Sequence, residues 1–150
     1  MPSLLGLALT DPNVPTPSFV IEEKRLEKNL RRALDQARRL GVRLRPHLKT
    51  HKSIGIALRQ METPKGPACV STPLEAEYFF SHGVTDLLYA VGIAPQKLPQ
   101  VASLRERGCD LKIILDNTAA ADAVSNFCRE HGVSIPVLLE VDVDGHRSGL

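Results

Sequence analysis

Two short runs of this sequence concentrate side chains able to do chemistry. The first is Arg45-Pro46-His47-Leu48-Lys49-Thr50-His51-Lys52. A lysine reacts with a carbonyl only after losing its proton, and nearby positive charge and partial burial both disfavour the ammonium form. Arg45, His47 and Lys52 offer the charge, so Lys49 is the candidate reactive amine. The competing reading is a solvated basic loop, which is the usual fate of such clusters. The second run is Glu140-Val141-Asp142-Val143-Asp144-Gly145-His146-Arg147-Ser148-Gly149. An acidic strand end followed by a glycine-flanked His-Arg turn suits a loop facing an anion or a cofactor, with Arg147 donating in a fork geometry. Its competing reading is a polar loop whose acids only balance the charge of the first run.

The remaining reactive side chains carry less. His82 and His131 each precede a glycine that can end a helix, and a histidine there meets the negative end of the helix rather than a metal. The cysteines Cys69, Cys109 and Cys128 are odd in number and far apart, and no residue pair has zinc-ligand spacing. Free thiols in a reducing compartment follow, and a cytoplasmic protein is expected. A net charge of +2 over 150 residues gives no case for nucleic acid or an anionic membrane. No apolar run is long enough to span a bilayer, and the first ten residues lack the basic flank of a signal peptide.

These runs need elements to position them. Leu26, Leu30, Ala33, Leu34, Ala37 and Leu40 recur at helical spacing, so a helix is expected over 22–40, with Gly41 as its stop. Thr72, Pro73 and Glu75 form a capping-box start for a helix that ends at Gly83. Further helices are expected over 95–107, with Pro99 marking its true first turn, and over 118–131. Strand-type runs fill the gaps at 42–48, 67–71, 86–91, 111–115 and 136–143. Residues 1–20 are proline-rich and are expected to be extended.

Alternating strand and helix argues for a parallel α/β sheet with helical crossovers. The strand faces select the architecture. Leu44, Pro46 and Leu48 share one side, and Arg45, His47 and Lys49 the other; Val137, Leu139, Val141 and Val143 oppose Leu138, Glu140, Asp142 and Asp144. One apolar and one ionisable face suits a TIM-type (β/α)8 barrel, whose catalytic groups lie at the carboxyl ends of its strands. Lys112 and Asp116 are further candidates for interior lining. Such a barrel needs eight strands and about 250 residues. About five strands are expected here, so 21–150 reads as the N-terminal portion of a partial barrel.

Pro46-His47-Leu48-Lys49-Thr50-His51-Lys52 resembles the cofactor-lysine motif of the D-serine dehydratase and D-threonine aldolase family, fold-type III pyridoxal-phosphate enzymes related to the alanine racemase N-terminal barrel. Thr16-Pro17-Ser18-Phe19-Val20 resembles that family's opening segment. Ser71-Thr72-Pro73-Leu74-Glu75-Ala76-Glu77 resembles its second barrel helix, and 142–149 its fifth-strand loop. The resemblance implies pyridoxal 5'-phosphate bound covalently by Lys49, which then acts as a base at the substrate Cα. It implies Arg147 at the cofactor ring oxygen, with His47 and His51 flanking the lysine. It further implies a lyase for β-hydroxy D-amino acids, a homodimer at full length, and a divalent metal such as zinc whose ligands lie outside this chain. Rival readings are a racemase or non-catalytic pyridoxal-phosphate protein on the same scaffold, and a stand-alone α/β binding domain.

Overall fold

Residues 7–146 and 148–150 are described by the computed structural model. Residues 7–22 form turns without helix or strand. The described residues then form five helices and four strands, helix and strand alternating from α2 onward: α1 (Glu23–Arg39), α2 (Ile54–Gln60), β1 (Ala68–Val70), α3 (Pro73–Ser81), β2 (Asp86–Gly92), α4 (Leu98–Glu106), β3 (Asp110–Leu115), α5 (Thr118–His131) and β4 (Val137–Leu139). One-turn 3-10 helices cover Leu48–Thr50 and Pro95–Lys97.

The strands form one parallel sheet in the order β1-β2-β3-β4, with Ala68 opposite Leu87, Leu87 opposite Leu111, and Ile113 opposite Val137. Each strand is added beside its predecessor through a helix, which is how a (β/α) barrel grows. Strands β1 to β3 have the two-faced pattern expected of a barrel wall, whereas Val137, Leu139, Val141 and Val143, expected on the covered side of the last strand, are exposed because no helix layer packs over them among the described residues. Val70, Leu87, Tyr89, Leu111 and Ile113 are buried against the helix layer, where Ala76, Phe79, Leu98, Val101 and Leu104 complete the core. On the other face Asp86, Leu88 and Lys112 are half-buried and Asp110 is exposed. The α/β partial barrel is therefore the observed fold.

Three boundaries differ from expectation for identifiable reasons. Residues 42–48 form no regular strand. They run beside β1 through one bridge, His47 to Cys69, in which the Cys69 N–H donates to the Pro46 carbonyl at 2.8 Å. Pro46 has no N–H to give the ladder, so pairing cannot extend through it. The side-chain alternation survives, since Pro46 and Leu48 are buried and Lys49 is exposed. The last strand is short: the Glu140 N–H still reaches the Leu115 carbonyl at 2.8 Å, after which 140–150 closes on itself through Asp142 and Leu150. Finally, α2 was not expected. Its seven residues are too few for a persuasive period, although Ile54, Ala57 and Met61 share its covered side.

The first helix is only partly covered. Leu26, Leu30 and Leu34 are half-buried and Ala37 is buried, but Ala33 and Leu40 face solvent. Arg59 of α2 ties it down by donating to Glu27 and to Glu23, the latter at 3.3 Å.

At the amino end of the inner sheet face, Asp86 joins three segments. Its Oδ1 lies 2.9 Å from Arg45 Nη1 and 3.4 Å from Lys112 Nζ. Arg45 also donates to the Ala68 carbonyl at 3.3 Å. This group fastens the otherwise weakly paired 42–47 segment to the sheet.

Candidate active site

Lys49 lies on the 3-10 turn Leu48–Thr50. His47 is level with Cys69 in a parallel arrangement, so Lys49 is level with Ser71, just past the end of β1. That is the carboxyl end of the sheet, where barrel enzymes carry their chemistry. The turn is pinned from below by Leu48, which is fully buried. The Lys52 N–H closes it by donating to the Leu48 carbonyl at 3.0 Å.

The Lys49 side chain is exposed, and among the described residues nothing accepts a hydrogen bond from its Nζ. Three other lysines are engaged. Lys52 Nζ pairs with Glu75 Oε1 at 3.3 Å, Lys97 Nζ donates to the Tyr89 hydroxyl at 3.0 Å, and Lys112 is held by Asp86 and Asp110. Lys49 is a free primary amine on a well-anchored turn.

Two expectations about its surroundings need correction. The amine is not half-buried, because the inner face of a four-stranded sheet stays open where a complete barrel would be closed. Nor is it crowded by free cations: Arg45 is paired with Asp86, and Lys52 with Glu75. His47 is pushed toward its neutral form, by burial first and by the nearby Lys49 second, against an opposing pull from Glu75.

The flanking histidines have definite partners. His47 Nδ1 accepts from the Lys49 N–H at 3.4 Å, and its Nε2 lies 3.3 Å from Ser71 Oγ. With Nδ1 accepting, the neutral ring carries its proton on Nε2, directed at the serine. His51 turns toward α2: its Nδ1 accepts from the Ser53 N–H at 3.0 Å and its Nε2 meets Gln60 Oε1 at 3.1 Å. Ser53 precedes α2 without a side-chain cap of its own, so His51 organises that helix start.

Arg147 lies outside the described residues. Among the described residues of this segment, the Asp142 carboxylate accepts from the Asp144 and Gly145 N–H groups at 3.3 and 3.0 Å, and Ser148 Oγ donates to Glu140 at 3.3 Å. Gly149 has φ +125°, and a Cβ there would meet the Asp142 nitrogen at 2.6 Å. Lys112 is on the inner face, as expected, but is consumed by its ion pairs. Asp116 lies just beyond β3, its carboxylate 3.7 Å from the position a Gly92 Cβ would take. His82 and His131 each have Nδ1 against the carbonyl four residues back, Tyr78 and Phe127, at 2.8 and 3.0 Å. Among the described residues no cluster of three His, Cys, Asp or Glu side chains is placed to hold a metal ion.

Sequence reasoning overlooked the part played by Glu75. It was legible as a helix-capping residue, yet it is the buried charged side chain behind the Lys49 turn, at 7% exposure. Its Oε2 accepts from the Ser71 N–H at 2.8 Å.

Comparison with known proteins gives this geometry its context. The model for the alanine racemase N-terminal domain matches residues 21–150. The chain belongs to the alanine racemase N-terminal domain family. Within that family it is 50% identical over 135 residues to a D-threo-3-hydroxyaspartate dehydratase of Delftia sp. strain HT23, a match covering 90% of this chain and 36% of the relative. It is 34% identical over 154 residues to a D-threonine aldolase of Arthrobacter sp., covering 97% of this chain and 40% of that enzyme. The solved structure of the Delftia dehydratase, and that of a variant in a metal-free form, match with TM-score 0.87 and 48% identity over 92% of this chain and 36% of theirs. The chain thus spans little more than a third of the length of these relatives.

Proposed function

We propose that residues 21–150 form the front part of the cofactor-binding barrel of a pyridoxal 5'-phosphate-dependent lyase acting on β-hydroxy D-amino acids, with Lys49 holding the cofactor through its amine. The observation that carries this reading is the Lys49 amine at the carboxyl end of the sheet, without a partner among the described residues, while Lys52 at the close of the same turn is paired with Glu75. The relatives' names add the substrate class, since both 3-hydroxyaspartate and threonine bear a hydroxyl on the β-carbon.

The donor chemistry fits the group. An exposed, unpaired primary amine can condense with an aldehyde, whereas an amine locked in an ion pair must first be released. When bound, pyridoxal phosphate supplies an electron sink for charge developing at the substrate Cα. The chain's own residues do the rest. Lys49 Nζ would hold the cofactor and, when free, would be the base that takes the Cα proton. His47, kept neutral, holds the Lys49 backbone N–H and adds no competing charge. Arg147 is assigned to the cofactor ring oxygen, as the fork-shaped donor of the 140–150 loop. The described residues do not form a donor set for a divalent metal, so no step is assigned to one.

A reducing, cytoplasmic setting belongs to the same proposal. Cys69, Cys109 and Cys128 are all unpaired, and burial pushes the Cys69 thiol up and the Cys109 thiol up to about 11, which keeps both protonated and unreactive.

The test is borohydride reduction of the full-length protein followed by peptide mass mapping. A pyridoxyl adduct on the Lys49 peptide is expected, and Lys49→Ala should lose the adduct, the visible absorbance and turnover together. An adduct on a different lysine, or wild-type turnover in Lys49→Ala, sinks the assignment.

A further inference from the structure

We propose that Glu75 is a positioning residue for Lys49, acting on both ends of the turn that carries it; this rests on the reading of Lys49 given above. A buried carboxylate persists only when it is paired and hydrogen-bonded. Glu75 meets both conditions, and its partners point toward the lysine turn rather than along its own helix.

In a capping box the glutamate at this position reaches back to the N–H of the cap residue, here Thr72. Thr72 does its share, accepting from the Glu75 N–H at 3.0 Å. The Glu75 carboxylate, however, passes Thr72 and accepts from Ser71 N–H instead, at 2.8 Å. Its second oxygen pairs with Lys52 at 3.3 Å. Helix capping alone asks for neither the burial nor the lysine.

Each partner leads to one end of the turn. Lys52 is the non-glycine residue with positive φ among the described residues, at +50°. Side chains other than glycine pay a steric penalty in that left-handed region. Lys52 adopts it while closing the turn onto the Leu48 carbonyl, and its ion pair with Glu75 is the contact that holds it there. At the other end, Glu75 fixes Ser71, Ser71 Oγ meets His47 Nε2, and His47 Nδ1 accepts from the Lys49 N–H. One carboxylate therefore braces residue 47 and residue 52, with the reactive amine between them.

Glu75→Gln keeps an oxygen for the Ser71 N–H and the shape of the side chain, but loses the charge that holds Lys52. The full-length protein should be studied first without cofactor. Amide hydrogen exchange at Lys52 should quicken at least about tenfold in this variant, while the amides of Leu87 and Ile113 in the sheet stay as in wild type. The His47 ring, followed by NMR, should titrate lower still, because the group that was raising it is gone. With cofactor added, its dissociation constant should rise about tenfold. Adding Lys52→Gly to Glu75→Gln should restore most of the lost protection and affinity, because glycine takes the left-handed conformation without an ion pair to hold it. Should Glu75→Gln fail to fold, Lys52→Met removes the same pair from its exposed end and carries the same expectation for exchange and affinity.

Unchanged exchange over 48–52, or a glycine at 52 that worsens the defect, overturns the proposal. The exchange and titration measurements need no cofactor. They decide the bracing role even where trapping shows the cofactor on another lysine, an outcome that would overturn the function and leave the Glu75 brace to be judged separately.

Discussion

Asp86→Asn offers the sharpest test of how the sheet holds the segment that leads to Lys49. The Asp86 carboxylate is shared by Arg45 at 2.9 Å and Lys112 at 3.4 Å, and all three side chains are 27% exposed. Exposed ion pairs contribute about 0–1 kcal/mol. Breaking a fully buried pair costs about 3–5 kcal/mol, because the partner is left charged and dry. This group lies between those limits. The asparagine oxygen can still accept from Arg45, so the expected cost is about 2 kcal/mol. For a domain of this size each kcal/mol lowers Tm by about 2–4 °C, giving about 4–8 °C at pH 7. The pH dependence has a definite sign. Burial works against ionisation of Asp86, but Arg45 and Lys112 outweigh it and hold the carboxyl below the usual aspartate range. A carboxyl depressed in the folded state stabilises fully above its unfolded value of about 3.9 and loses that contribution as pH falls through the folded value. The Tm gap between wild type and Asp86→Asn should therefore be complete at neutral pH and shrink below about pH 4. Thermal unfolding by circular dichroism across that range measures it. A gap that is absent at pH 7, or that keeps its full size in strong acid, refutes the reasoning.

Two further outcomes are expected. Leu48→Ala removes a fully buried side chain beneath the Lys49 turn and should cost about 3 kcal/mol, seen as a Tm loss of about 6–12 °C in thermal unfolding. Gly149→Ala should leave global Tm nearly unchanged but speed hydrogen exchange at the Asp142 and Leu150 amides by tenfold or more, since the new Cβ meets backbone at 2.6–2.9 Å with φ at +125°.

How much of this was legible in the sequence depended on whether the cause was local. The start of α3 could be read because Thr72, Pro73 and Glu75 satisfy adjacent backbone groups, and the structure shows the Thr72 cap in place. Two faces could be read on 44–49, where Pro46 and Leu48 are buried and Lys49 is exposed, but the same reading of 137–144 fails, since Val137, Leu139, Val141 and Val143 are exposed. Pro46 keeps the first of these from forming a regular strand, since a missing N–H does not show in a polarity pattern. What stayed hidden came through tertiary contacts. Arg45 finds Asp86 41 residues away, and Lys52 finds a carboxylate on α3, beyond α2 and β1. Neither pairing leaves a trace in spacing along the chain, so the cations around Lys49 looked free when they are not.

That error changes what the Pro-His-Leu-Lys-Thr-His-Lys run means. Its density of titratable groups suggested an amine made reactive by its charged neighbours. The contacts assign those neighbours other work. His47 bonds to Ser71 and to the Lys49 backbone, Leu48 enters the core, His51 organises the start of α2, and Lys52 pairs with Glu75 while closing the turn. Each of them spends its functional group on holding the backbone in place. Among the ionisable side chains of the run, Lys49 stands apart by having its head group unspent. On the proposed reading of Lys49, the motif is mostly architecture surrounding one amine, and it must satisfy several separate elements at once: the core, α2, β1's end and α3. Substitutions at the holders should therefore move Lys49 rather than alter its chemistry. That is why the Glu75 and Lys52 variants, read by local exchange, separate placement from reactivity in a way that turnover alone does not.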